Sequence, residues 1–161
     1  MNNSKAYYSA FDTAVYLLNF KNRTCKELAD KLKSKGYSDT EIDDALDKLS
    51  SYNYVNDESY TLSYIKSNMN KKGKKLIKRE LAEKGIDKAI IDEKFDELSD
   101  EYGEEDNIET IFLKRFSDSD LNDVKVNNKI ISYFLRRGFS FDKISKIVTK
   151  YKKINEFDNC L

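Results

Sequence analysis

The residues best suited to chemistry in this chain are cationic. Between Lys66 and Lys84 eight basic residues, Lys66, Lys71, Lys72, Lys74, Lys75, Lys78, Arg79 and Lys84, meet only Glu80 and Glu83. From Asp87 to Glu109 the sign reverses, with eleven acidic residues against Lys88 and Lys94. A net charge of zero therefore conceals a strong local asymmetry. At about 100° per residue, Lys71, Lys75, Lys78 and Arg79 fall on one helical stripe rotated away from Ile77 and Leu81, which predicts that they face solvent together. Such a stripe attracts phosphate or an acidic protein surface, and plain solubility is the bland alternative.

Other chemistries find little support. The chain has no histidine, which removes Ser-His and Cys-His arrangements and the commonest zinc ligand. Gly73 stands alone in Lys71-Lys-Gly-Lys-Lys75, without the frame of a phosphate-binding loop. Carboxylate pairs such as Asp43/Asp44 and Glu104/Glu105 are plentiful, and in a chain with 29 acidic residues a solvated helix face is their ordinary role. Cys25 and Cys160 form neither a metal cluster nor a disulfide framework. Cys25 follows Thr24 at a helix start, where the dipole lowers a thiol pKa, so a reactive thiol is the alternative to an ordinary side chain. The sequence thus points to a protein that is not an enzyme and needs no metal or cofactor.

A threefold repeat positions these residues. Gly36, Gly85 and Gly138 each sit in the same frame, with large apolar or aromatic residues at −8, −4, +1, +6, +10 and +13. These are Leu28, Leu32, Tyr37, Ile42, Leu46 and Leu49 in the first copy. They are Ile77, Leu81, Ile86, Ile91, Phe95 and Leu98 in the second, and Ile130, Phe134, Phe139, Ile144, Val148 and Tyr151 in the third. The spacing before and after each glycine lines one face of a helix, so two helices flank it. Glycine ends the first helix in the left-handed conformation, and Lys35, Lys84 and Arg137 before it suit the negative helix end. Ser38, Asp87 and Ser140 then cap the next helix. Ser38 with Glu41, and Thr24 with Glu27, read as capping boxes.

A third helix precedes each pair, at roughly 9–20, 57–70 and 104–116. The chain is therefore predicted to be all-α, a tandem array of three three-helix, helix-turn-helix-like modules, extended and curved, spanning residues 9–53, 54–103 and 104–154. No window sustains the period-two pattern of a strand, and there is no proline. Apolar runs are too short to cross a bilayer, which predicts a soluble cytoplasmic protein. Phe95, Phe134, Phe139, Tyr37 and Tyr151 hold frame positions and read as core, whereas Tyr7, Tyr8, Tyr52, Tyr54 and Tyr102 lie outside it as candidate surface contacts.

The frame resembles the RecX-type regulatory proteins of bacteria. The motifs that carry the resemblance are Glu27-Leu28-Ala-Asp-Lys31-Leu32-Lys-Ser-Lys35-Gly36, Lys74-Lys75-Leu-Ile77-Lys-Arg-Glu80-Leu81-Ala-Glu-Lys84-Gly85-Ile86 and Phe134-Leu135-Arg136-Arg137-Gly138-Phe139-Ser140-Phe141. Asn56-Asp57-Glu58-Ser59-Tyr60 resembles the family's acidic lead-in to its second module, and the match runs from about residue 10 to 152. This chain departs from the pattern at Gly73-Lys74, where the family usually has Gly-Pro. Many relatives carry a further N-terminal segment, so Met1 reads either as the native start or as a boundary. The resemblance implies a non-enzymatic regulator of recombination and DNA repair, in the SOS response, that binds RecA filaments on DNA as a monomer. It implies inhibition of strand exchange, ATP hydrolysis and coprotease activity. The expected contacts to partner or DNA are Lys71, Lys72, Lys74, Lys75, Lys78, Arg79, Arg136 and Arg137.

Two other readings compete. A helix-turn-helix regulator would place a post-glycine helix in the DNA major groove. Those of the first two modules are acidic, through Asp39, Glu41, Asp43, Asp44 and Asp47 and through Asp92, Glu93, Asp96 and Glu97, so only the third, with Lys143, Lys146, Lys150 and Lys153, has the right sign. A helical-repeat adaptor without nucleic-acid contact would instead bind through the acidic faces.

Overall fold

Helix endings set the fold. The computed structural model describes residues 8–99 and 101–158, with side chains up to 153, and the described residues form helices joined by turns, without a strand. In chain order these are α1 Ala10–Phe20, α2 Cys25–Ser34, α3 Asp39–Ser51, α4 Asp57–Asn68, α5 Lys74–Glu83, α6 Lys88–Glu97, α7 Glu104–Phe116, α8 Val124–Arg136 and α9 Phe141–Asp158. The expected helices are all present, and α4 stops two residues short of its expected end.

Gly36, Gly85 and Gly138 have φ of 91°, 81° and 82°. In each case the following residue's N–H reaches back to the carbonyl of the apolar −4 residue: Tyr37 to Leu32, Ile86 to Leu81 and Phe139 to Phe134. The glycine's own N–H bonds the next carbonyl along, so each turn is a Schellman motif. Asn53, at φ 57°, ends α3 in the same way, with Tyr54 N–H on the Leu49 carbonyl. Asparagine tolerates this conformation better than other non-glycine residues. At the opposite helix ends, Thr24 with Glu27 and Ser38 with Glu41 both close as full capping boxes.

All of the repeated apolar positions are buried except Tyr37, Leu46 and Tyr151, which are half-buried. Two compact units result, one of Met1–Tyr64 with Leu81–Lys94 and the other of Ile65–Glu80 with Phe95–Leu161. In the first, Ala10 and Ala14 of α1 pack on Leu28, Leu32, Ile42, Ala45 and Leu49. In the second, Ile108 and Phe112 of α7 pack on Ile130, Phe134, Phe139, Ile144, Ile147 and Val148. Aromatic edges fill that core, with Phe134 set against Phe139 at 5.7 Å and 76°. Ionic ties hold α7 to α9, since Lys143, Lys146 and Lys150 lie 3.0, 2.6 and 2.6 Å from Glu104, Glu105 and Glu109.

Within the first unit, the start of α2 closes on the end of α5. The buried Thr24 hydroxyl accepts from Glu27 N–H and donates to the Lys84 carbonyl at 2.7 Å, while Lys84 Nζ lies 2.6 Å from Glu27 Oε1. Burial pushes the Glu27 carboxyl up, but hydrogen bonds from Lys84 and from the Thr24 N–H outweigh it and hold the pKa below its ordinary value of 4.5.

Two outcomes follow for stability. Phe134→Ala should cost about 3–5 kcal/mol in denaturant unfolding, through lost transfer energy and a cavity, whereas Leu113→Ala at an exposed site should stay within about 0.5 kcal/mol. Because the Glu27 pKa is lower folded than unfolded, the stability that it confers is full above about 4.5 and is lost as pH falls through the folded value. Glu27→Gln should therefore be less stable than the parent at neutral pH, with a gap that closes as the medium is acidified below that value. A gap independent of pH would disprove this linkage.

Candidate nucleic-acid interface

Every residue expected to contact a partner lies in the second unit. The structure corrects the placement of the basic stripe. Helix α5 begins at Lys74, so Lys71 and Lys72 occupy the preceding turn, held by their N–H groups on the Asn68 carbonyl, and are not on the helix. The helix starts late because Gly73 supplies the first intrahelical acceptor, bonding Leu76 and Ile77 N–H, while its own N–H is used elsewhere.

That other partner is the end of α8. Gly73 N–H donates to the Arg137 carbonyl at 2.8 Å, and Lys75 N–H to the Gly138 carbonyl at 3.3 Å. Lys74 N–H donates to Glu104 Oε1 at 3.3 Å, and the other oxygen of that buried carboxylate lies 3.0 Å from Lys143. Donors that a helix start normally leaves unpaired thus meet carbonyls that a helix end leaves unpaired. Lys74 can take part because it has an N–H, which a proline at this position would lack. The approach is so close that a Cβ on Gly73 would lie 2.3 Å from the Gly138 carbonyl group and from Phe139 N, all backbone atoms that cannot step aside. A Cβ on Gly138 would meet Leu76 at 2.4 Å.

This junction brings the 71–75 run against Arg136 and Arg137, some sixty residues later in the chain. The charges differ in how they are used. Lys72 Nζ lies 2.8 Å from both oxygens of Glu80. Lys74 and Lys78 place their ammonium groups 4.9 and 5.6 Å from the Phe95 ring centroid, in cation–π contact. Lys71, Lys75, Arg79 and Arg136 are exposed, whereas Lys78 and Arg137 are half-buried, so the expected solvent stripe is only partly one.

Sequence reasoning missed two neighbours. The Arg137 guanidinium stacks 3.8 Å from the Tyr133 ring centroid, and that of Arg115 lies 5.1 Å away, with Nη1 donating to Tyr133 Oη at 3.1 Å. Tyr133 falls outside the repeated frame, and Arg115 ends a different helix, so no local spacing links them.

The remaining candidates resolve as follows. Three of the four α9 lysines that would suit a recognition helix are paired with α7 glutamates. Cys25 has its thiol pKa raised, first by burial and then by Asp57, whose carboxylate also accepts the Cys25 N–H, so the lowered pKa of the reactive-thiol alternative is contradicted. Tyr8, Tyr52 and Tyr54 are exposed as expected of surface contacts. Tyr102 is half-buried edge-on to Phe95, its hydroxyl pKa pushed well above the ordinary value by burial and by Glu104. Tyr7 and Cys160 lie outside the described residues. Among the described residues no acidic or cysteine group is arranged to hold a metal ion, and no helix is long and apolar enough to cross a membrane.

Known proteins share this architecture. Residues 10–49 match the family model for the first three-helix domain of RecX, and residues 56–94 that for the second. The chain is 30% identical to the regulatory protein RecX of Clostridium beijerinckii over 158 residues, covering 96% of this chain and 74% of that protein. With its counterpart in Clostridium acetobutylicum it shares 33% identity, over 88% of this chain and 68% of the relative. The crystal structure of RecX from Lactobacillus salivarius superposes with a TM-score of 0.73 at 31% identity, covering 88% of this chain and 94% of that one.

Gly73→Ala should part the α5 start from the α8 end. The expected result is a loss of about 1–3 kcal/mol of stability, from the overpacking of a tight contact, together with faster hydrogen exchange at the Gly73-position and Lys75 amides. Unchanged exchange at both amides would contradict the close approach.

Proposed function

Because the chain belongs to the RecX family of regulatory proteins, we propose that it binds the RecA recombinase filament on DNA and restrains its strand exchange, ATP hydrolysis and coprotease activity. It does so as a cytoplasmic monomer by occupying surface, with no catalytic step of its own. Residues 9–53, 54–103 and 104–154 serve as its three binding modules, and the basic residues of 71–79 with Arg136 and Arg137 serve as the contact to phosphate and filament.

The observation that supports this reading is the backbone junction at Gly73 and Gly138, which brings together two distant segments that each carry exposed cations. A polyanion neutralises such a surface and releases counterions. The acidic face of α3, with Asp43, Asp44 and Asp47 exposed opposite the buried Ile42, Ala45 and Leu49, supplies the opposite sign for a basic protein surface. The competing helix-turn-helix reading is disfavoured by the pairing of Lys143, Lys146 and Lys150 with α7.

The test is a RecA ATPase and strand-exchange titration with the parent chain and a Lys71→Glu/Lys75→Glu/Arg136→Glu variant. The parent should inhibit. The variant should keep its helical signal, inhibit at least about tenfold less well, and show a DNA-affinity salt slope flatter by about 0.7–0.9 per lost contact. No effect of the parent on RecA would remove the role, and full inhibition by the folded variant would remove these residues from it.

A further inference from the structure

We propose that Arg115 and Arg137, mounted on the ring of Tyr133, form a phosphate-binding site for the backbone of a single DNA strand. This deepens the preceding reading and rests on it for the choice of nucleic acid as partner.

Two like charges share one ring. Arg137 lies over the Tyr133 face at 3.8 Å, and Arg115 approaches the same ring at 5.1 Å while bonding its hydroxyl. Several cations elsewhere are paired with carboxylates, as in Lys72 with Glu80, Lys84 with Glu27 and Lys150 with Glu109. Among the described residues no carboxylate pairs with Arg115, Arg136 or Arg137. Asp118, the nearest acid along the chain from Arg115, instead accepts the Ser117 hydroxyl. A tyrosine quadrupole attracts each guanidinium but offsets their mutual repulsion only in part. A bound anion completes the balance.

The geometry favours phosphate over a base. Arg137 covers one face of Tyr133, while Phe116 and Phe134 meet it edge to face at 5.2 Å and 78° and at 5.2 Å and 88°. The ring is therefore occupied as a support and is not an open stacking platform for nucleobases. Stacking uses the flat face of a guanidinium and leaves its N–H edge for the bidentate contacts that suit phosphate. Two guanidiniums sharing one ring are too close to bridge opposite strands of a duplex, so they serve a single strand. The Arg137 carbonyl is also the acceptor for Gly73 N–H, which sets Arg137 beside the Lys71–Lys75 segment, where the strand would run on.

The probe is fluorescein-labelled oligo-dT of thirty nucleotides, titrated with the full chain across a salt series without recombinase, with RecA inhibition measured in parallel. Arg115→Ala should weaken binding about tenfold at low salt and flatten the log–log slope by about 0.7. Tyr133→Leu keeps every charge but removes the support, so it should weaken binding at least as much, whereas Tyr133→Phe keeps the ring and should stay within about threefold of the parent. Thermal melting identifies any unfolding by Tyr133→Leu, in which case Arg115→Ala decides alone. Parent-like affinity and slope in folded Arg115→Ala would overturn the site even if RecA inhibition persists. If the parent leaves RecA untouched while Arg115→Ala still loses oligo-dT binding, the site stands and the regulatory role falls.

Discussion

The proposed contact surface depends on one close approach, the start of α5 against the end of α8 across Gly73 and Gly138. Helix ends carry unpaired donors at one terminus and unpaired acceptors at the other, and here each satisfies the other. Neither glycine has a Cβ to keep the backbones apart, and the buried Glu104 takes the one remaining donor, from Lys74, while pairing with Lys143. The first unit repeats the device with a hydroxyl in place of the glycine amide, through Thr24 on the Lys84 carbonyl. In both places the acceptor is the residue just before a left-handed glycine, so one residue type ends a helix and admits its neighbour.

Charge is then divided between holding the fold and facing outward. The α7–α9 pairs and the Lys72–Glu80 and Lys84–Glu27 pairs tie elements together. Most are surface or half-buried pairs, each contributing modestly to stability. The arginines at the ends of α7 and α8 belong to the outward set, stacked on an aromatic ring rather than matched by acids. A chain with no net charge can in this way keep a local excess of cations, as between Lys66 and Lys84.

The helices, their caps and their glycine ends were legible because each is written locally. The frame around Gly36, Gly85 and Gly138 names the buried residues, and Thr24 with Glu27 spells its cap within one turn. Asn53 was harder, since asparagine signals a left-handed helix end less strongly than glycine, although it lies where a module boundary was expected. What could not be read was contact at a distance. Nothing around Gly73 reveals that the Gly138 carbonyl fills the space of its missing side chain, so the helical spacing extends to Lys71 although the helix starts at Lys74. Arg115 and Tyr133 escaped for the same reason, because their meeting depends on how α7 and α8 pack. Cys25 fits the ordinary side chain that its sequence context suggests, because burial and Asp57 outweigh the helix dipole that a reactive thiol would need.

The most direct measure of the central claim, that the α5–α8 junction is the surface presented to the filament, is hydrogen–deuterium exchange of the chain free and bound to RecA on single-stranded DNA. The account predicts new protection across residues 71–75 and 136–138 and at the end of α7, above the protection those amides already have in the free chain. Protection confined to α1–α3, with the junction exchanging as it does in the free chain, would contradict it.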